Sequence, residues 1–431
     1  MVNLAVFGTG EMGSYVIREQ ANKADKVFVR SRKSPEEVRR LFPSVPNLVV
    51  AETDEAAMRY ADFACFCLLT EVVEDVMRRA LPYAKKGAII SGQTSVKEPE
   101  VNAFNAVTRK HPELGLQLVT IHTMCRPKVS NASEEILAII PYNSSEEAVL
   151  RTRDFYGGLS RRIVMFANPE EHDKRVADTQ ANTSRTFLTT ASAFADRGCF
   201  PGVNLSYNDP LDELKFALAM RAADQGVDVY KGIQFLNTLG RKIALGSAQT
   251  ERDLFSLIVR GDYEGYMKKV LDAKEIVFGD MKSPILRESD LKQFGGVSSV
   301  KLNSHFSLIN WVVECAELGL KPFEDMKKAT TPMFSSLVAL ASYLFNTPGE
   351  LEKAIIAPFG DPGMRADDLA FHDRYQLWAN AVVYGNSAGY DALHKEMKDK
   401  LPPEVLRPAV EKSRLVTTVC REALRRELGI G

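Results

Sequence analysis

The sequence predicts an α/β doubly wound N-terminal domain followed by an all-α C-terminal domain, and three observations predict it. Apolar runs of strand length alternate with segments of helical period through residue 167. A glycine cluster, GTGEMG, follows the first of those runs directly. From Asn168 onward the strand pattern stops and apolar residues recur at helical spacing. The expected domains are therefore 1–167 and 168–431.

Eight runs read as strands in order: NLAVFG, KVFVRS, NLVVA, DFACFCLL, GAIISG, LQLVTIH, EILAIIP and RRIVMFA. Several of the stretches between them, including Glu11 to Lys23 and Val72 to Lys85, have helical composition. Strand and helix alternating this way imply parallel strands joined by crossover helices. The segment NPEEHDKRVADTQANTSRTFLTTASAFA reads as one long helix, with Asn168 as N-cap, Pro169 at the first position and acids in the first turn. LINWVVECAELGL, SSLVALASYLF and AVEKSRLVTTVCREALRREL continue the helical pattern, and QFGGVSS and APFGDPGMR punctuate it. No internal repeat or low-complexity segment interrupts this order.

Composition excludes some partners. The 431 residues suffice for two or three domains. With 55 basic and 56 acidic residues the net charge is −1, so no global field draws in nucleic acid or an anionic membrane. The opening MVNLAVFGTG runs straight into a strand pattern without the features of a signal peptide, and no later run is long enough for a membrane span. A soluble cytoplasmic protein is expected. Cys65, Cys67, Cys125, Cys199, Cys315 and Cys420 form no CxxC pair and no zinc-spaced cluster with histidine, so reduced thiols and no metal are expected.

In GTGEMG, Gly8, Thr9, Gly10, Glu11, Met12 and Gly13 stand between the first strand and the first helix. Glycines there allow a tight turn and let the backbone approach a pyrophosphate at the positive helix end, so the setting points to a Rossmann-type dinucleotide site rather than a coincidental turn. In such folds an acid at the end of the second strand reads the ribose 2′-hydroxyl. Here FVRSRKS puts Arg30, Ser31, Arg32 and Lys33 in that place, which favours a 2′-phosphate and hence NADP over NAD. The plainer alternative is a solvated basic turn.

After GAIISG comes QTSVKEPE, a polar loop leading into a helix. Open α/β sheets bind ligands beyond the carboxyl ends of their strands, so Gln93 and Thr94 are expected on the cofactor, and Ser95 and Lys97 where the nicotinamide and its substrate meet. Ser95 could alternatively cap the helix that follows. The stretch TIHTMCRPK brings His122 to the same edge. As a metal ligand it would stand alone, as a partner of Cys125 it would lack an orienting third group, and as a packed residue it would need no function. An acid/base role at the binding edge suits it best.

GQTSVK, IHTMCRPKV and EEHDKRVADTQANTSRTF, in that order behind GTGEMG, resemble the prephenate dehydrogenase family, and most closely its longer NADP-using branch without a fused regulatory domain. The resemblance continues through MRAADQGVDVYKGIQFLN, LFSLIVRGD, KLNSHFSL and TPMFSSLVALASYLF, and so covers nearly the whole chain. It implies that His122 is the catalytic histidine and that Ser95 hydrogen-bonds the ring hydroxyl of the substrate. It also implies that Arg221 binds a substrate carboxylate, with Asn237 at the family's spacing, and that His172 and Lys128 belong to the substrate site. In one respect the chain departs from the pattern: many members carry a further histidine where Ser184 stands, followed here by Arg185 as an alternative carboxylate contact. That departure keeps arogenate or another cyclohexadienyl acid open as substrate. The family also implies a homodimer through the helical domain, and the apolar runs LINWVVECAELGL and SSLVALASYLF suggest a subunit interface.

The chemistry explains why these residue types suffice. Prephenate carries a C4 hydroxyl across the ring from a quaternary carbon bearing a carboxylate. Hydride loss from C4 creates a dienone-like centre that expels carbon dioxide and leaves an aromatic ring. A base is needed only to accept the hydroxyl proton, which neutral histidine does near physiological pH. Two rival functions are weighed against this one. QFGGVSSVKLN is superficially similar to the lysine-bearing stretch of β-hydroxyacid dehydrogenases, but Lys301 and Asn303 are only two apart, on different faces of a helix. A catalytically silent NADP-binding sensor would have no reason to keep Ser95, His122 and Arg221 together.

Overall fold

The computed structural model describes residues 2–124, 136–160, 162–203, 209–281, 283–294 and 302–429. The chain divides into two compact units, Met1–Val176 and Ala177–Gly431.

The first unit holds all eight expected strands: β1 Asn3–Phe7, β2 Lys26–Arg30, β3 Leu48–Val50, β4 Phe63–Phe66, β5 Ile89–Gly92, β6 Gln117–Thr123, β7 Ile136–Tyr142 and β8 Arg162–Met165. They form one sheet in the order β3-β2-β1-β4-β5-β6-β7-β8. Between and after them come α1 Glu11–Gln20, α2 Pro35–Leu41, α3 Asp54–Met58, α4 Thr70–Ala80, α5 Glu98–Thr108, α6 Glu146–Tyr156 and α7 Pro169–Val176. Strand side chains alternate between faces, and here both faces are apolar. Leu4 and Val6 of β1 join Val16, Ile17, Phe155 and Tyr156 on one side. Ala5 and Phe7 join Met58, Val73, Met77 and Phe104 on the other. Helices therefore cover the sheet on both sides, as the doubly wound pattern requires.

The expected parallel order needs one correction. β1 to β6 are parallel, but β7 pairs antiparallel with β6, His122 opposite Ala138, and β8 runs parallel to β7. An antiparallel neighbour needs no crossover helix, and the sequence MCRPKVSNASEE between those two strands carries no apolar helical stripe. The segment read as one long helix also differs. Asn168 caps it as expected, its Oδ1 accepting the Glu171 N–H at 2.8 Å. Its α-helical turns then give way to a π segment, Ala177–Ala181, before α8 Asn182–Arg197. The division between units falls at that π segment, so α7, with its HD pair, lies in the first unit.

The second unit is helical. After α8 come α9 Pro210–Asp224, α10 Asp228–Phe235, α11 Thr238–Arg260, α12 Tyr263–Phe278, α13 Glu288–Leu291, α14 Phe306–Glu317, α15 Pro322–Lys328, α16 Pro332–Asn346, α17 Glu350–Gly360, α18 Pro362–Val383, α19 Ser387–Lys400 and α20 Pro403–Leu428. The apolar runs expected to face another subunit are instead the centre of this unit. Trp311, Val312 and Val313 of α14 and Leu337, Leu340 and Leu344 of α16 are all buried in its core. A helix apolar on every side is a central helix, and periodicity alone does not say whether its cover comes from its own chain or another. No helix among the described residues is long and apolar enough to cross a membrane.

Candidate active site

The glycine motif is shaped by three different requirements. Gly8 ends β1 with φ +101, and its amide donates to the Arg30 carbonyl at 2.9 Å; a Cβ there would lie 2.3 Å from the Cys67 carbonyl oxygen. Gly13, on α1, packs so close that a Cβ would lie 2.1 Å from the Gly8 oxygen. Gly10 differs: a Cβ there would meet nothing within 4 Å, and as N-cap of α1 it brings no side chain to the helix end. The chain thus turns tightly, holds the helix against the strand and leaves open space at a positive helix terminus. A pyrophosphate needs this arrangement, so the residues present fit a dinucleotide. Thr9 is buried and its hydroxyl meets that of Ser31 at 2.8 Å, which ties the glycine loop to the end of β2. Glu11 is exposed and Met12 half-buried at the start of α1.

The basic turn after β2 divides. Arg30 was expected on a 2′-phosphate, but its Nε donates to Asp54 at 3.0 Å and its Nη1 to the Ser31 carbonyl at 2.9 Å. Asp54, 8% exposed, also takes Arg79, so Arg30 is held in a three-residue ion network. A neighbouring carboxylate supplied by α3, 24 residues on, claimed the guanidinium. Arg32 and Lys33 are exposed, and the Ser31 hydroxyl also accepts the Lys33 amide at 3.2 Å.

Past β5 the loop turns several side chains inward. The Gln93 amide bridges to Thr123, donating to its hydroxyl and accepting its N–H, both at 2.9 Å. Thr94 donates its hydroxyl to the Val96 carbonyl at 2.6 Å and also bonds Glu100. Both side chains expected on the cofactor are thus buried and engaged with the protein. Lys97, expected at the edge of the site, is fully buried: its ammonium donates to Glu100 at 3.0 Å, to the Ile121 carbonyl at 2.8 Å and to the Gly92 carbonyl at 3.3 Å. Thr120 closes this knot from β6 by bonding the other Glu100 oxygen. A buried ion pair needs extra hydrogen bonds to offset desolvation, and this one has them. Its effect is to hold the end of β5, the start of α5 and β6 in register.

On that frame stands a chain of four polar side chains. The Ser95 Oγ is 3.3 Å from His122 Nε2, His122 Nδ1 is 3.1 Å from His172 Nε2, and His172 Nδ1 is 2.8 Å from Asp173 Oδ1. Ser95 is half-buried and does not cap α5. That cap comes from Asp173, whose carboxylate accepts the Lys97 amide at 2.9 Å and the Glu98 amide at 3.0 Å. His122 is 5% exposed and His172 not at all. Burial, then the neighbouring His172 and the Lys97 ammonium, holds the His122 imidazole well below the usual histidine range. Burial and Lys97 do the same to His172. Both rings are neutral at physiological pH. Asp173 moves the other way: burial lifts its carboxyl to about 6, against the pull of the Lys97 and Glu98 amides and the Lys97 charge. His172, expected to touch substrate, has both ring nitrogens committed to protein partners.

Asp173 was not foreseen. Residues one apart on a helix normally face different ways, so nothing in EEHDKR marked the acid as partner of its own neighbour. Lys128 and Cys125, like Lys301, lie outside the described residues. Among the described residues no three of His, Cys, Asp and Glu come together as a metal site.

In the helical unit the expected residues fall in different settings. Arg221, half-buried near the end of α9, donates to the Thr417 hydroxyl of α20 at 3.4 Å. Ser184 donates to the Ala181 carbonyl at 3.0 Å and accepts from Gln234 at 3.2 Å. Arg185 is 1% exposed, with its guanidinium on Asn182 Oδ1 at 2.6 Å, on the Tyr375 hydroxyl at 3.4 Å and over the Tyr375 ring at 5.6 Å. A buried cation with these partners braces α8 against α18, which leaves it poorly placed for a carboxylate from solvent. Asn237 caps α11, its Oδ1 accepting the amides of Leu239 at 3.0 Å and Gly240 at 3.1 Å.

Two protein families match the chain. One, described as a "6-phosphogluconate dehydrogenase C-terminal domain", matches residues 181–421, and the other, described as "NADP oxidoreductase coenzyme F420-dependent", matches residues 3–92. The chain is 26% identical over 397 residues to the prephenate dehydrogenase [NADP(+)] of Saccharomyces cerevisiae, covering 89% of this chain and 86% of that one. It is 27% identical over 411 residues to a probable prephenate dehydrogenase [NADP(+)] of Schizosaccharomyces pombe, covering 93% of each. Among solved structures, Synechocystis arogenate dehydrogenase matches with a TM-score of 0.45 at 15% identity, over 62% of this chain and 95% of that one.

Proposed function

The chain belongs to the family that carries this 6-phosphogluconate dehydrogenase-type C-terminal domain, and from that premise we propose that it is an NADP-dependent prephenate dehydrogenase. It oxidatively decarboxylates prephenate to 4-hydroxyphenylpyruvate on the route to tyrosine. The observation that carries this reading is the Ser95–His122 pair at the carboxyl edge of a sheet whose first turn fits a dinucleotide. The names of the two yeast relatives, matched along almost the whole chain, support the substrate and cofactor.

Bound at the glycine turn, NADP+ supplies the hydride acceptor. The chain's own residues do the rest. The open N-terminus of α1 would take the pyrophosphate, and Arg32, with the Ser31 hydroxyl, would take the 2′-phosphate. Ser95 Oγ orients the C4 hydroxyl of the substrate, and the unprotonated Nε2 of His122 accepts its proton as C4 becomes a carbonyl carbon. Arg221 is the proposed carboxylate anchor, a role that a half-buried residue suits better than the buried Arg185. Lys128 and Ser184 complete the proposed substrate contacts, while Asn237 shapes the site by capping α11.

A second reading, arogenate or an amino analogue as substrate, is favoured by Ser184 standing where many members place a histidine. Purified protein mixed with NADP+ and prephenate, and separately with arogenate, distinguishes them by the rate at which reduced cofactor appears. Faster turnover of prephenate is expected. Absence of turnover with either acid, NADP binding being intact, would overturn the enzyme reading in favour of a silent sensor. A cytoplasmic location and a homodimer through the helical unit belong to the same proposal. With α14 and α16 buried, the support for a dimer passes to exposed apolar residues such as Leu245 and Val259 of α11 and Ile276 of α12. Light scattering on the purified protein tests it, and a monomer at micromolar concentration would remove it.

A further inference from the structure

The chemistry proposed above requires His122 to offer a lone pair at Nε2, yet a neutral imidazole can carry its proton on either nitrogen. The surroundings decide which. A carboxylate only accepts, so Asp173 Oδ1 at 2.8 Å requires the proton of His172 to sit on Nδ1. Neutral His172 then has an unprotonated Nε2, which can only accept. His122 Nδ1, 3.1 Å away, must therefore be its donor. With that proton committed, the remaining nitrogen of His122, Nε2, is bare and faces Ser95 Oγ at 3.3 Å. No other assignment of neutral rings satisfies all three contacts.

The carboxylate at the head of this chain is itself fixed. Asp173 accepts the amides of Lys97 and Glu98 at the start of α5, so it cannot swing away from His172 without uncapping that helix. His172 is locked as well, fully buried and edge-on to both Phe166 and His122 with ring centroids 5.2 Å away in each case.

We infer that Asp173 and His172 are positioning residues that hold His122 in the Nδ1–H tautomer, keeping Nε2 free as the base. Neither touches the reacting atoms. When His122 takes the substrate proton, its Nδ1–H still points at an acceptor, so the imidazolium forms without rearrangement. This reassigns His172 from the substrate site to the support of the base, and it rests on the reading of His122 as proton acceptor.

The test separates the two. In Asp173→Asn the two backbone amides keep the amide oxygen, which turns the NH2 toward His172. His172 must then carry its proton on Nε2 and donate to His122 Nδ1, so His122 is forced to the Nε2–H form. An acid-to-amide change of this kind in a histidine-supporting carboxylate leaves the geometry while blocking the base. Long-range proton–nitrogen correlation spectra of the full chain labelled with 15N-histidine read the tautomer without turnover, and the His122 signals are those lost in His122→Asn. The wild-type protein should show Nδ1 protonated and Nε2 bare, and Asp173→Asn the reverse. With substrate and NADP+, kcat should fall by about 100-fold or more while KM for both stays within about threefold.

His172→Phe, which keeps a ring against Phe166 and removes both hydrogen bonds, provides a second reading if the Asn variant does not fold. There His122 should populate both tautomers and kcat should again fall. An unchanged His122 tautomer in the folded variants would overturn the inference. A reversed tautomer in a protein that turns over neither acid would leave it standing and sink the proposed function instead.

Discussion

His122 gains its character from burial more than from any charged partner. Two neutral imidazoles and a nearby ammonium make a positive charge on the ring costly, so it stays unprotonated, as the proposed role of proton acceptor requires. His122→Asn should lower kcat by about 10²- to 10⁴-fold, the usual worth of a positioned base, and leave NADP affinity nearly unchanged. Steady-state kinetics with a separate cofactor titration check this. At the other end of the site two arginines two residues apart have unlike fates. Arg32→Ala should raise KM for NADP about tenfold or more with little change for NAD, as expected for an exposed guanidinium facing a phosphate. Arg30→Ala should instead act through stability, because it leaves buried Asp54 with one fewer cation. If Arg32→Ala weakens both cofactors equally, the 2′-phosphate assignment is wrong.

At the level of elements, the strand–turn–helix of β1 and α1 combines two kinds of glycine. Gly8→Ala forces a side chain into a left-handed conformation and against the Cys67 carbonyl, and should destabilise the first unit by about 2 kcal/mol or more. Gly10→Ala has free space and an ordinary φ of −68, so the fold should tolerate it within about 1 kcal/mol. At the proposed pyrophosphate site its methyl group would obstruct the phosphates, and NADP affinity should fall by about tenfold or more. Thermal unfolding measured beside a cofactor titration distinguishes the two, and equal effects of both variants on stability would contradict this division of roles. The eight strands were legible because each is a short apolar run bounded by turns, and period and punctuation are local properties. The direction of β7 was not, because pairing is a matter of which edge is free and whether a crossover covers the sheet. The π segment at Ala177–Ala181 was likewise hidden, since its composition does not differ from an α-helix.

Across the molecule the buried histidines link stability to pH. His122 and His172 have pKa values below their unfolded value of about 6.5, so the unfolded chain binds their protons first. Their contribution is present above that value and lost as the pH falls through it toward their folded values. Asp173, raised to about 6, and Asp368, raised by burial to about 7, act in the opposite sense, since the folded chain holds their protons more tightly. The comparison of variants isolates the histidines: the unfolding midpoint of His172→Phe should drop less between pH 7 and pH 5 than that of the wild type. Calorimetry at both values decides, and a larger drop in the variant would show that His172 is not buried neutral.

By itself the sequence determined the strands, the glycine turn, the helical second half and the candidacy of Ser95 and His122, all of which are written in spacing or in motifs that survive without tertiary contacts. Only the tertiary structure decided what the neighbouring polar residues do. Arg30 belongs to Asp54, Lys97 to Glu100, Arg185 to Asn182 and Tyr375, and His172 to the support of His122. The reason is physical: a polar side chain removed from water must find partners, and those partners lie on elements brought together by folding rather than nearby in the chain.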